Sequence, residues 1–156
     1  MRIPGRAVLV LAVSAAALAG QAIAAAEPTM RPARGQAAEG TKVKTRSSAY
    51  GTVLINARRR TLYLFDREDT RRSECYGACA RAWPPLITKA RPVAAGLARR
   101  GLLGTVRRRN GAKQVTYAGH PLYLYAHEGP GQIFCQNVDE FGGLWLVVRP
   151  NGRAVR

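Results

Sequence analysis

The stretch Leu62-Tyr-Leu-Phe65 returns sixty residues later as Leu122-Tyr-Leu-Tyr125. The cysteines keep the same interval, because Cys75 and Cys135 each lie ten residues after the last aromatic residue of their stretch. In a β-strand such a pattern places the leucines on one face and the aromatic rings on the other. Since both faces are apolar, we expect each strand to be covered on both sides. The sequence therefore predicts a duplicated β unit.

Short strands and turn signals surround the two copies. Asn110-Gly111, between two apolar or β-branched runs, is a strong hairpin signal. Residues 50–55 and 61–65 predict another hairpin, and residues 74–83 predict a short helix that Pro84 ends. We expect a mainly-β fold, a compact small sandwich or partly closed barrel. It contains one repeat at about 50–86, another at about 102–149, and one short cysteine-bearing helix or turn.

The first residues resemble an export signal. Arg2 and Arg6 precede an almost wholly apolar run, and Ala22-Ile-Ala24 supplies small residues for cleavage. This predicts a signal peptide at residues 1–24. Residues 25–48, rich in small and polar residues, predict a disordered linker, so the folded domain should span 49–156. We expect a periplasmic or extracellular protein that is not an integral membrane protein after cleavage.

Several stretches resemble one bacterial family. It is the family of secreted-repeat proteins and predicted lipoproteins defined by a Tyr-x-(Phe/Trp/Tyr)-x-x-Asp motif. The resemblance implies an exported protein with two β repeats, and it implies no reaction because the function of the family is unknown. The stretches are Tyr50-Gly-Thr-Val-Leu54, Arg60-Thr-Leu-Tyr-Leu-Phe65, Cys75-Tyr-Gly-Ala-Cys79, Ala82-Trp-Pro-Pro-Leu86, Gly119-His-Pro-Leu-Tyr123 and Phe141-Gly-Gly-Leu-Trp145.

The chain departs from the family pattern in two respects. Glu68 and Glu128 occupy the positions of the motif's aspartate, so each carboxylate reaches one methylene further. The lipid-attachment cysteine of the lipoprotein members is absent, since the first cysteine is Cys75. The residues that carry the motif here are Tyr63, Phe65, Glu68, Trp83, Tyr123, Tyr125, Glu128 and Trp145.

Three cysteines leave several pairings open. Cys75, Cys79 and Cys135 cannot all pair within one molecule, so one is free or intermolecular. A bridge to Cys135 closes a long loop worth about 4 kcal/mol, against about 2 kcal/mol for a local Cys75–Cys79 bridge. We therefore favour the long bridge over the local one, and both over reduced or metal-bound cysteines. A stabilising disulfide explains the cysteines better than a redox site does, because no Cys-x-x-Cys motif is present.

Two other sets of residues are candidates for chemistry. His120 and His127 with Cys135 resemble a mononuclear copper set, but no axial Met lies near, and His120 fits a simple turn. Glu68 and Glu128 are a candidate carboxylate pair for acid–base work. We instead expect each to end a strand and bond nearby turn amides or arginines. We predict no catalytic residue, metal or cofactor.

The positive charge is the clearest functional feature of the sequence. The 156 residues carry 25 Lys and Arg against 9 Asp and Glu, a formal net charge of +16. Turns project into solvent, so arginines in predicted hairpin turns should form surface clusters. Such clusters suit an anionic partner, although a compositional bias toward Arg explains them equally well. The clusters are Arg58, Arg59, Arg60 and Arg107, Arg108, Arg109.

These observations favour an exported, non-catalytic binding or envelope-associated module with a basic surface. The expected partner is an anionic envelope component or an acidic redox protein. Nucleic acid is not expected, because an exported protein rarely meets it and the aromatic residues are not interleaved with the arginines. The alternative is an extracytoplasmic redox or electron-transfer protein that works through its cysteines, with or without a metal.

Overall fold

β-Strands are the main regular elements of the computed structural model, which describes residues 40–68 and 72–156. The predicted signal peptide and most of the predicted linker lie outside these residues. A short helix, α1 (Ala78–Ala82), and a 3₁₀ turn, Arg100–Leu102, interrupt the strands. The strands are β1 (Lys42–Ser48), β2 (Gly51–Asn56), β3 (Tyr63–Phe65), β4 (Ile87–Thr88), β5 (Val93–Ala94), β6 (Leu103–Arg107), β7 (Lys113–Tyr117), β8 (His120–Pro121), β9 (Val138–Glu140) and β10 (Gly143–Val147).

The described strands form three small sheets, so the mainly-β prediction is confirmed. One sheet has the order β2-β1-β5, the second β3-β10-β9, and the third β4-β7-β6 with β8 added to β7. The second sheet joins the two repeats, because β3 of the first pairs antiparallel with β10 of the second.

The predicted domain boundary at Ala49 is wrong. Residues 42–48, assigned to the linker, form β1, in which Val43 to Ser48 pair antiparallel with β2 and Lys42 pairs with Val93 of β5. Val43 is fully buried in this strand. The polar side chains of β1 conceal it in the sequence, because a strand at a solvated surface needs few large apolar residues. The predicted hairpin of 50–55 with 61–65 is reduced to a bridge between Ile55 and Thr61.

The leucine–aromatic alternation divides the core into two layers, as predicted. Tyr63, Phe65 and Tyr123 are buried in one cluster with Trp83 and Trp145. The intervening leucines Leu62, Leu64 and Leu122 are buried in a second cluster with Leu54, Val115, Tyr117 and Leu146. Residues of both stretches therefore contact the core on both faces, which accounts for their near-identity.

The hairpin turn at Asn110-Gly111 is present. It joins β6 and β7, whose register pairs Arg107 with Lys113. Gly111 has a φ of 82°, a left-handed conformation that favours glycine. This turn carries Arg107, Arg108 and Arg109 and fixes the backbone from which their side chains depart.

Candidate functional site

The two repeats meet at a backbone contact between equivalent tyrosines. The amide of Tyr63 donates to the carbonyl of Tyr123 at 3.0 Å, and the amide of Tyr123 donates to the carbonyl of Tyr63 at 2.9 Å. Their side chains then cross to the other repeat. The Tyr63 hydroxyl donates to Glu128 Oε1 at 2.6 Å, and the Tyr123 hydroxyl donates to Glu68 Oε1 at 2.5 Å. We call these four residues the tyrosine–glutamate clasp.

Both carboxylates of the clasp also hold a loop in their own repeat. Glu68 Oε1 accepts the amides of Glu74 and Cys75, and Glu128 Oε1 accepts the amide of Phe134 at 2.6 Å. The expected bonds to turn amides are therefore present, and the tyrosine bonds are additional. Burial raises the pKa of Glu68 above its usual range, against the smaller opposing effect of these hydrogen bonds.

Aromatic rings of each repeat also pack against rings of the other repeat. Trp83 and Trp145 lie parallel, with ring centroids 3.9 Å apart. Phe65 of the first repeat stacks on Trp145 at 4.3 Å, and Tyr125 of the second packs on Trp83 at 4.8 Å. The motif residues therefore form the contact between repeats, where they hold the fold together.

The cysteines pair locally, which contradicts the favoured long bridge. Cys75 and Cys79 form a disulfide with Cα atoms 5.2 Å apart, and Cys135 is a buried free thiol. The local bridge is feasible because α1 begins only at Ala78, after Gly77 with a φ of 56°. Cys75 thus lies outside the helix, and regular helical spacing does not apply. Loop entropy alone does not decide the pairing, because the local chain geometry brings Cys75 and Cys79 together.

Cys135 occupies the position of Cys75 in the second repeat, but its would-be partner position is Asp139. Burial, aided by the charge of Glu128, raises the pKa of the Cys135 thiol to about 11. Thiol chemistry proceeds through the thiolate, so this environment makes Cys135 a poor nucleophile and a poor metal ligand.

The histidines are not gathered with Cys135 into a metal site. Within residues 40–68 and 72–156, no group of three or more His, Cys, Asp or Glu side chains could hold a metal ion. His120 is half-buried in β8, and exposed His127 packs its ring edge against Tyr125 at 5.5 Å.

The first arginine cluster lies at the turn after β2, beside a cleft of about 480 Å³. Arg58 and Arg59 are exposed, as predicted. Arg60 is only partly exposed, because its guanidinium donates a hydrogen bond to the carbonyl of Tyr125. Pro85, Leu86, Ile87 and Leu124 line the same cleft and make it partly apolar.

The second arginine cluster lines a cleft of about 380 Å³, which we call the Tyr76 cleft. Arg107 and Arg109 are exposed there, and the Arg109 guanidinium lies over the Tyr76 ring at 4.5 Å. Cys75 and Arg108 lie 33 residues apart in the sequence, and only the fold brings the cysteine segment against this turn. The lining residues are Arg72, Ser73, Glu74, Tyr76, Arg107, Arg108 and Arg109.

Arg108 is not a surface residue, which corrects the prediction for the middle of this cluster. Its side chain is 6% exposed, and its guanidinium donates to Ser73 Oγ at 2.5 Å and Gln114 Oε1 at 2.6 Å. It also donates to the carbonyl of Cys75 at 2.6 Å. The turn directs alternate side chains inward and outward, so Arg108 anchors the cysteine segment while its neighbours face solvent.

A mainly-β unit present twice, with equivalent residues exchanging contacts, defines a protein built from two homologous repeats. The family model described as a secreted repeat of unknown function, Lipoprotein_15, matches residues 44–87 and 104–149. The chain belongs to this family and is an exported protein. No curated protein and no solved structure matches it with significance. In the part of the chain that the structure describes, no helix is long and apolar enough to cross a bilayer.

Proposed function

We propose that this protein is a non-catalytic, exported module that binds an anionic component of the cell envelope through its arginine turns. The observation that carries the proposal is an excess of unneutralised charge. Among the described residues, Arg58, Arg59, Arg107 and Arg109 form no ion pair with a carboxylate. A guanidinium that is not engaged within the protein remains available for a phosphate or carboxylate of a partner.

Position supports the proposal as well as charge. The two turns are held by short-range hydrogen bonds: Arg59 donates its amide to the carbonyl of Asn56 at 3.0 Å, and Gly111 donates its amide to Arg108 at 2.9 Å. The exposed guanidinium groups therefore depart from ordered backbone, which lowers the entropy cost of arranging them around a ligand.

The redox alternative finds less support. The disulfide is buried, with Cys75 1% and Cys79 7% exposed. The free thiol is buried as well, and reactive cysteines lie in accessible, electropositive surroundings. An anion-binding role does not require any of these sulfur atoms to react.

The test measures binding to phosphatidylglycerol vesicles by co-sedimentation at increasing salt. One variant carries R58A, R59A, R107A and R109A. Its matched control carries R81A, R91A, R153A and R156A, which removes the same charge from other exposed sites. We expect the wild type and the control to bind at low salt and to dissociate as salt rises, and the turn variant to bind far more weakly. Equal loss in both variants would mean that only net charge matters and would overturn the proposal.

A further inference from the structure

The Tyr76 cleft has a buried cation at its base. Arg108 is the only arginine of the lining that is buried, and all three of its bonded acceptors, on Ser73, Gln114 and Cys75, are uncharged. A buried charge is costly unless an opposite charge compensates it. Among the described residues, the carboxyl group of Glu68 interacts electrostatically with Arg108 but forms no ion pair with it. Burial raises the pKa of Glu68 and so opposes the ionised form that would compensate Arg108.

The mouth of the cleft adds further positive charge. The lining has four guanidinium groups, on Arg72, Arg107, Arg108 and Arg109, against the single carboxylate of Glu74. Arg72 has no hydrogen bond, ion pair or ring contact with the described residues. The lining therefore carries more positive than negative charge, and an external anion would offset the excess.

Three of the four guanidinium groups are held in place before any ligand arrives. Arg107 donates to the carbonyl of Gly111 at 3.1 Å, which leaves its other donors unused. Arg108 and Arg109 lie over the same Tyr76 ring at 4.4 Å and 4.5 Å, and the Tyr76 hydroxyl accepts the amide of Arg109 at 3.2 Å. Contacts of this kind fix the direction of a guanidinium, which favours planar, bidentate recognition.

We infer that the Tyr76 cleft binds the phosphoryl group of a polyol phosphate ester. A phosphate monoester carries up to two charges and three acceptor oxygens, which matches several convergent guanidinium groups better than a carboxylate does. The cleft, at about 380 Å³, has room for the ester substituent beside the phosphate. Glu74 lines the same cleft and can accept a hydrogen bond from a hydroxyl of the substituent.

This inference rests on the proposed function, because it names the ligand chemistry of one of the two arginine turns. Free glycerol 3-phosphate presents this phosphoryl group as a monoester, whereas polymeric glycerol phosphate and phosphatidylglycerol headgroups present it as a diester with one charge. The experiment therefore uses calorimetric titration with glycerol 3-phosphate and with inorganic phosphate, and vesicle binding in a parallel arm. Two control ligands are included: acetate is an anion without a phosphoryl group, and glycerol is a polyol without one.

Three variants separate the cleft from the general basic surface. R107A/R109A removes two cleft arginines, whereas R58A/R59A removes the same charge at the other turn. R72A removes a side chain without described contacts, so it reports on the cleft without endangering the fold. We expect R107A/R109A to weaken glycerol 3-phosphate binding at least roughly tenfold, R72A to weaken it by a smaller factor, and R58A/R59A to change it less than about twofold.

Two results would overturn the inference. One is glycerol 3-phosphate binding no tighter than acetate, and the other is equal weakening by R107A/R109A and R58A/R59A. If either occurs while vesicle binding still requires the arginine turns, the cleft assignment fails and the proposed function stands. If vesicle binding is also insensitive to the turns, both fail. Binding of vesicles without binding of free glycerol 3-phosphate is a case of the first result and overturns the inference.

Discussion

Glu68 and Glu128 stand where the family motif has aspartate, and each accepts a hydrogen bond from a tyrosine of the other repeat. The longer side chain still allows bonds of 2.6 Å and 2.5 Å, so the extra methylene does not prevent tight carboxylate geometry. Both glutamates are almost fully buried, at 2% and 5% exposed. At such burial a hydrogen bond matters chiefly because leaving its partner unsatisfied is costly.

Replacing Tyr63 with Phe should therefore destabilise the protein. The variant removes the hydroxyl that Glu128 Oε1 accepts and leaves a buried carboxylate oxygen with one partner fewer. We expect the free energy of unfolding to fall by roughly 1–3 kcal/mol, measured by urea denaturation. The control is Tyr50→Phe, at a side chain 38% exposed, and should change little. Equal stability of the Y63F variant and the wild type would show that the Tyr63–Glu128 bond contributes nothing to stability.

The buried carboxyl of Glu68 should make stability depend on pH. Its pKa in the folded state is raised above the ordinary glutamate value of 4.5, so the folded state holds this proton more tightly than the unfolded state. The stabilisation is fully present below pH 4.5 and is lost as pH rises through the folded pKa. Urea denaturation at several pH values should show the wild type gaining stability relative to Glu68→Gln on acidification. If the difference in free energy of unfolding between the wild type and Glu68→Gln did not change with pH, the raised pKa of Glu68 would be contradicted.

Cys135 provides a residue-scale test of the redox alternative. Its thiol has a pKa of about 11 and is 7% exposed, so thiolate is scarce and shielded near neutral pH. We expect a thiol-reactive reagent to label native protein very slowly, one thiol after unfolding, and three after unfolding and reduction. Rapid labelling of native Cys135 would restore a role for it in thiol exchange.

Residue patterns predicted the clasp only in part. The alternation of leucine and aromatic residues correctly assigned Tyr63 and Phe65 to one face of their strand. The crossing of Tyr63 to Glu128 could not be predicted, because it depends on a backbone pairing between positions sixty residues apart. No local signal in the sequence specifies which of two equivalent carboxylates a tyrosine reaches.

At the scale of single elements, prediction succeeded where local chemistry decides. Asn110-Gly111 fixes a tight turn by conformational preference, and β6 and β7 flank it as expected. β1 was missed because its residues are mostly polar and only its pairing with β2 makes it a strand. Helix α1 is shorter than predicted, because the chain enters it through Gly77 in a left-handed conformation.

The turn after β6 shows why an arginine run cannot be interpreted as one surface. Arg107 and Arg109 face solvent, whereas Arg108 between them is buried and bonded to Ser73, Gln114 and Cys75. Arg107 ends β6, whereas Arg108 and Arg109 lie beyond the strand, so the three side chains do not share one strand face.

At the scale of the whole molecule, the repeats are interlocked. The clasp, the tryptophan stack and the pairing of β3 with β10 all join one repeat to the other. Each repeat places its tyrosine, glutamate and tryptophan against the other half, so neither has a complete core of its own. We therefore expect the two repeats to unfold in a single cooperative transition.

Hydrogen exchange of the Tyr63 and Tyr123 amides tests this interlocking most directly. Each amide donates to the carbonyl of the other residue, so exchange requires the repeats to separate. The two amides should show the same opening free energy, and it should equal the global free energy of unfolding measured by denaturant. Exchange of either amide through a distinctly lower free energy would mean that one repeat opens alone, and that result would contradict the account.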